Sequence, residues 1–256
     1  MNLRSLVAGL LLSATIALAA CGGDDDATPT PQRRSEGAAT AAAPKSATPV
    51  AIPTIRNPGE ASTDELVNAL KVQIPQELAD GASIGKKEAK ATLTLFEDFQ
   101  CPFCLRFTVT FESTIMEYVR AGKLRLEYKN FPILGVESVK AAVAAQCAAK
   151  QNVFWPFHQR LFTEQVKAGQ LTKEQLNVNR FSDQNLATYA AEAGANATQF
   201  QACYGDAATI SLVQDENNAA RELGIRGTPG VVLNGKFIQT PQDLQSLKKI
   251  LDDATK

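Results

Sequence analysis

An α/β core interrupted by an all-helical insertion is the fold class this 256-residue sequence predicts, and three observations predict it. Alternating runs rich in strand-forming residues occur in two groups far apart, at 91–96 and 124–128 and again at 230–233 and 236–238. From about 138 to 224, between those groups, the apolar spacing is helical. The two strands of the first group flank a single helix-length pattern, the strand, helix, strand order from which mixed sheets are built.

The N-terminal elements carry an address rather than a fold. In residues 1–20, Arg4 precedes an apolar run from Leu6 to Ala20 that is too short for a permanent membrane span and right for a secretory signal peptide. Its end, Leu18-Ala19-Ala20-Cys21-Gly22, resembles the lipobox of bacterial lipoproteins. That resemblance implies that Cys21 is lipidated and becomes the first mature residue, anchoring the chain to a membrane. The small residues Ala17, Ala19 and Ala20 also fit cleavage by an ordinary signal peptidase. Either route takes the chain out of the cytoplasm into the cell envelope or periplasm, where disulfides persist. Residues 21–58 are Ala-, Thr- and Pro-rich with almost no large apolar side chains, so they cannot offset chain entropy by burial and read as a flexible tether. A tether of this length spans on the order of 30 to 40 Å.

The folded domain is expected over 59–256. Ser62-Thr63-Asp64-Glu65 has capping-box spacing ahead of Leu66, Val67 and Leu70, and Pro75 stops that helix. Ala91 to Phe96 alternates as a strand. Phe107, Phe111, Ile115 and Tyr118 recur at helical spacing, and Gly122 ends the helix. Leu124 to Tyr128 alternates again. Ala141 to Lys150, Phe154 to Val166, Asn185 to Ala193, Ala197 to Tyr204 and Ala207 to Leu223 read as helices of the insertion. Gly230 to Leu233, the two-residue turn Asn234-Gly235 and Lys236 to Ile238 form a hairpin. A closing helix is predicted from about Pro241 to Leu251.

Chemistry concentrates at Cys101-Pro102-Phe103-Cys104, directly after the first strand and at the head of a helix. Two thiols three positions apart on a first helical turn close a small disulfide ring, and the unpaired N–H groups and helix dipole stabilise a thiolate on the first cysteine. Pro102 suits the first turn, where no N–H is required. Zinc needs a second ligand pair, and with one histidine and no other closely spaced cysteines the chain lacks one. Redox chemistry is therefore the reading. A net charge of -1 without basic blocks gives no footprint for nucleic acid.

Phe99-Gln100-Cys101-Pro102-Phe103-Cys104, then Ala144-Ala145-Gln146-Cys147-Ala148 with Phe154-Trp155-Pro156-Phe157-His158, then Phe200-Gln201-Ala202-Cys203-Tyr204 and Gly224-Ile225-Arg226-Gly227-Thr228-Pro229 resemble, in this order, the DsbA-like thiol-disulfide oxidoreductases. The resemblance runs from about Ser83 to the C-terminus. It implies a thioredoxin fold with an inserted all-helical domain, Cys101 as the exposed nucleophile and Cys104 as its buried partner. Further, it implies a cis Pro229 facing the thiols, Thr228 offering its backbone to an extended substrate, and a disulfide between Cys147 and Cys203; read from residues alone, four exported cysteines allow three pairings. No metal or organic cofactor is implied. The partners implied are reduced or misoxidised exported proteins and a membrane redox partner that recycles the Cys101/Cys104 pair.

Two departures stand out. Relatives commonly carry a buried carboxylate six residues before the first cysteine, where this chain has Leu95. Glu97 and Asp98 lie nearby, but strand alternation predicts opposite faces for them, with at most one pointing inward. Between the cysteines, strongly oxidising relatives have histidine where this chain has Phe103, so no positive charge supports the Cys101 thiolate from that position. His158, in an aromatic run, reads as packing rather than as a catalytic base. The function expected is disulfide formation in exported proteins. The alternatives are a reductase or isomerase using the same site, or a lipoprotein that handles Cu(I) through the two thiolates.

Overall fold

The computed structural model describes Ile55 and residues 57–256; the signal stretch 1–20, Cys21 and the tether as far as 54 lie outside the described residues. The first helix, α1 (Thr63–Ala69), starts at the capping box: the Ser62 hydroxyl accepts the Glu65 N–H, and the Glu65 carboxylate accepts the Ser62 N–H at 2.8 Å. After a single 3-10 turn come β1 (Ala79–Asp80) and β2 (Ser83–Ile84), strands of two residues and therefore too short to show alternation in sequence.

The central strand is β3 (Ala91–Glu97), followed by α2 (Pro102–Arg120) and β4 (Leu124–Asn130). β3 and β4 run parallel, with Leu93 beside Leu126 and Leu95 beside Tyr128. Helix α2 buries Phe107, Phe111, Ile115 and Val119. Tyr118 sits at the edge of that face and donates its hydroxyl to Asp252 at 2.6 Å, so Val119 takes the fully buried position. Gly122 terminates the helix at φ 68°, the left-handed conformation that a glycine adopts without a Cβ penalty.

Five helices follow β4: α3 (Val136–Lys150), α4 (Phe154–Lys167), α5 (Asp183–Glu192), α6 (Ala197–Tyr204) and α7 (Ala207–Glu222). In α3, Ala141, Ala144, Ala145 and Ala148 are fully buried, and their small side chains let neighbouring helices approach closely. The connection 168–182 is irregular rather than helical. Asn177 and Asn179 take positive φ there, a conformation asparagine tolerates and a helix does not contain. The chain returns through β5 (Gly230–Leu233) and β6 (Lys236–Ile238), turning at Asn234 and Gly235, both at positive φ as a type I′ hairpin requires. The last helix, α8 (Leu244–Ala254), starts later than the pattern predicts because Asp243 and Ser246 form a capping box. Sheet order is β1-β2-β4-β3-β5-β6, and every pairing except β3 with β4 is antiparallel. This is the α/β fold with an all-helical segment between β4 and β5. Among the described residues, no helix is long and apolar enough to cross a membrane.

Candidate active site

Strand β3 delivers the chain into a tight turn, and Asp98 builds it. Its backbone carbonyl accepts the Cys101 N–H at 2.9 Å, and its carboxylate accepts the Gln100 N–H at 2.8 Å. The same carboxylate accepts the N–H groups of Ile133 and Leu134 at 2.8 and 3.0 Å and the Ser138 hydroxyl at 2.7 Å. Asp98 thus ties the thiol turn to the loop that enters α3. Gln100 adds to the tie, donating to Ser138 and accepting the Asn177 N–H, while Gln165 and Gln170 cap the carbonyls of Phe99 and Gln100. Four backbone or side-chain donors per carboxylate offset part of its burial, which still holds the Asp98 carboxyl above its ordinary value.

Both Glu97 and Asp98 are buried, each about 1% exposed, which corrects the expectation that at most one points inward. Alternation governs residues within a strand, and Glu97 is the last residue of β3. Asp98 lies past it, where the backbone has already turned.

Cys101 is the N-cap of α2, and Pro102 follows at the first helical position. The Cys101 thiol is held below its ordinary value. The Cys104 thiol hydrogen bond to its sulfur contributes most, burial opposes, and the Thr228 side chain and the N–H groups of Cys104 and Phe103 add to the lowering. Cys104 is pushed well up by burial first, then by its bond to Cys101 and by the charges of Cys101 and Glu97. The two thiols are free, and they are chemically unequal. Cys101 is 3% exposed, so the expectation of an exposed nucleophile needs correction: the Thr228 carbonyl accepts from its Sγ at 3.3 Å and covers it.

The Thr228–Pro229 bond is cis. Gly230 follows, and a Cβ there would stand 2.6 Å from Ile225, so only glycine permits this approach of β5 to the preceding loop. Beside the thiols opens a groove of about 320 Å³ lined by Phe103, Arg106, Phe107, Thr228, Pro229 and Pro241 among others. Phe103 is 65% exposed at its mouth. Cys147 on α3 and Cys203 on α6 form a disulfide that pins two helices of the helical segment.

The expected packing of His158 is present: Phe99, Tyr128, Phe154, Trp155 and Phe162 surround it, with the Phe162 ring centroid at 4.8 Å. Its Nε2 also lies 3.6 Å from a Glu97 carboxylate oxygen, and Glu112 faces the same space. Glu112 could have been singled out from sequence, since it lies four residues after Thr108 and three before Ile115 on the buried stripe of α2, where a carboxylate is out of place.

Two buried thiols of unequal acidity at the start of a helix, beside a central strand and against a cis-proline loop, define a thioredoxin-like redox protein. Residues 77–253 match the family model described as thioredoxin. The probable disulfide bond formation protein D of Bacillus anthracis is 30% identical over 178 residues, 68% of this chain and 78% of that protein. The Na(+)/H(+) antiporter NhaA 1 of Mycolicibacterium gilvum is 28% identical over 66% of this chain, which corresponds to 25% of that protein. Among solved structures, oxidised BdbD from Bacillus subtilis shares the fold with a TM-score of 0.59 at 21% identity, covering 72% of this chain and 96% of that one. The chain belongs to the thioredoxin family, in its DsbA-like group of thiol-disulfide oxidoreductases.

Proposed function

We propose that this protein forms disulfides in exported proteins outside the cytoplasm, with Cys101 as the sulfur that exchanges with substrate and Cys104 as the resolving thiol. The observation that carries this reading is the inequality of the pair: Cys101 is the N-cap of α2, where its thiol is held below the ordinary value, while Cys104 lies fully buried one turn on, where burial pushes its thiol well up. Starting from the Cys101–Cys104 disulfide, a substrate thiolate attacks Cys101 Sγ, the bond to Cys104 breaks, and Cys104 departs as a thiolate that takes a proton. A second substrate thiolate then attacks the substrate sulfur of the mixed disulfide, forming the substrate disulfide and releasing Cys101 as its stabilised thiolate. Two electrons pass from substrate to the pair. The groove beside Phe103 and the backbone of Thr228 and Pro229 receive an extended substrate segment, and the Cys147–Cys203 bridge serves structure.

In the same reading, residues 1–20 are removed as a signal peptide. Cys21 carries the lipid, residues 21–58 tether the domain to the membrane, and a membrane redox partner reoxidises the pair. The fit of 18–22 to a lipobox and the composition of the following stretch support this part.

The test mixes the oxidised protein with a reduced, unfolded model substrate. Cys101→Ser is expected to abolish disulfide transfer, and Cys104→Ser to accumulate mixed disulfides at Cys101. Substantial transfer by the Cys101 variant overturns the assignment. Equilibration of the pair with glutathione fixes direction: a potential above that of the glutathione couple supports an oxidase, one well below it a reductase.

A further inference from the structure

The groove beside the thiols runs along one face of α2. Phe103, Arg106, Phe107, Thr110 and Phe111 line it, and their spacing of three and four residues keeps them on one side of the helix. The Thr228–Pro229 loop completes the lining next to Cys101. Of the five helix residues, Phe103 and Arg106 stand exposed while Phe107 and Phe111 are buried. A ligand in the groove therefore meets one ring and one guanidinium above an apolar floor.

Charge pairing sets that guanidinium apart. Seven arginines lie among the described residues, and five of them donate to an acceptor of the domain, as Arg160 does to Glu164 and Glu192 and Arg221 to Asn217. Arg106 and Arg226 donate to none among the described residues, and these are the two at the thiol site. Arg106 is on the groove wall; Arg226 is exposed two positions before Thr228, whose carbonyl lies 3.3 Å from Cys101 Sγ. The acids nearest the groove in sequence are engaged elsewhere: Glu60 accepts from Asn57 Nδ2 at 3.2 Å, and Asp243 accepts the Ser246 N–H at 2.7 Å. Thiolate stabilisation does not account for the two arginines either, since Cys104, Thr228 and Phe103 are the chief groups that lower Cys101. A guanidinium is always charged and presents a planar fork of donors that matches a carboxylate. With a formal net charge of -1 the chain has no overall attraction for acidic partners, so any such attraction is local to these side chains.

Resting on the thiol-disulfide reading above, we propose that the groove selects substrate segments with an acidic side chain two or three positions from the reacting cysteine. Arg106 is the specificity-determining residue that pairs the carboxylate, and Arg226 adds a second positive charge at the cis-proline loop. The register follows from helix geometry. Arg106 lies five positions past Cys101, about 7.5 Å along the axis at about 1.5 Å per residue. An extended segment along α2 advances about 3.3 Å per residue, so about two to three residues separate the sulfur at Cys101 from the side chain over Arg106. Phe103, 65% exposed between the two, offers the intervening residue an apolar surface. The exchange itself is the one described above; the arginines decide which thiol is held long enough to take part.

The experiment uses the full-length Cys104→Ser variant, which keeps mixed disulfides at Cys101, and single-cysteine peptides with Glu, Gln or Lys two or three positions from the cysteine on either side. Two peptides compete at exchange equilibrium in a buffer of reduced and oxidised 2-mercaptoethanol, an uncharged thiol. The ratio of their mixed disulfides with Cys101, divided by the ratio of their disulfides with 2-mercaptoethanol, reports the groove and cancels each peptide thiol's own acidity. At low salt Glu is expected to be favoured over Lys by about tenfold on at least one side of the cysteine, with Gln between them, and about 1 M salt is expected to bring the ratio close to one. Arg106→Gln is expected to cut the preference to about twofold, adding Arg226→Gln to remove the remainder, and Arg106→Glu to reverse it. Damage to the fold lowers capture of all peptides alike and does not move the ratio. Equal capture of Glu and Lys peptides, a preference for Lys, or a Glu preference that survives in Arg106→Glu overturns the proposal. So does a preference that persists with the acidic residue about eight positions away, beyond the range of a local pair. Capture of no peptide at all overturns the thiol-disulfide reading instead.

Discussion

Replacing Glu97 by Gln should stabilise the protein, and by more at neutral than at acid pH. Burial raises the Glu97 carboxyl from an ordinary 4.5 to about 8, so the folded state holds a proton there that the unfolded chain releases. Folding stability from this group is fully present below the unfolded value near 4.5 and is lost as pH rises toward the folded value. At about 1.4 kcal/mol per pH unit, the loss is below about 1 kcal/mol at pH 5 and about 3 kcal/mol at pH 7. Glutamine keeps the volume and never ionises, so Glu97→Gln recovers that loss. His158 works with the opposite sign, since burial keeps it neutral and its contribution falls as pH drops below the imidazole range; Glu112 has the sign of Glu97. Both are present in parent and variant, so the difference between the two curves isolates Glu97 apart from its coupling to them. The assay is urea unfolding at about pH 5, 6 and 7, in a Cys101→Ala/Cys104→Ala background that removes the thiols' own titration. The expected gain at pH 7 exceeds that at pH 5 by about 2 kcal/mol, or about 1 M in the midpoint. A gain that is independent of pH, or a loss that grows with pH, refutes the reasoning, because either means Glu97 is ionised in the fold.

Two further outcomes follow from the described geometry. Cys147→Ala with Cys203→Ala opens a loop spanning 56 positions, and the chain-entropy account puts the loss near 4 kcal/mol, read as a lower denaturant midpoint with Cys101 and Cys104 still reactive. Phe103→His places an imidazole at an exposed site on the first turn of α2 without disturbing the core, so thiolate absorbance should report a more acidic Cys101 at pH values where the ring is charged, and the potential of the pair should rise. The two changes are linked at roughly 30 mV per tenfold in equilibrium constant, so a shift in one with no shift in the other contradicts the account.

What the sequence disclosed was whatever is local. The Cys101-Pro102-Phe103-Cys104 turn, the capping box at Ser62, the Asn234-Gly235 hairpin and the helical run between β4 and β5 each carry their signal within a few residues, and the structure has them. The connection 168–182 was hidden because its helix-breaking features are two left-handed asparagines that hydrogen bonding to Gln100 and Glu137 holds in place, partners some 40 to 80 positions away. Burial of Cys101 was hidden for the same reason, since its cover is a carbonyl 127 positions later.

Leu95 shows what a position taken alone leaves out. Read by position, the chain lacks a carboxylate at the place where relatives commonly have one. In the fold, Leu95 is a wall of the very cavity into which Glu97, two residues on, and Glu112, from the next helix, bring their carboxylates. His158 lines that space too, and the helical segment that carries it is tied to the thiol turn through Asp98, Gln100, Gln165 and Gln170. The helical segment thus supplies one of the ionisable side chains of that cavity, a contribution that no spacing within the thiol motif announces.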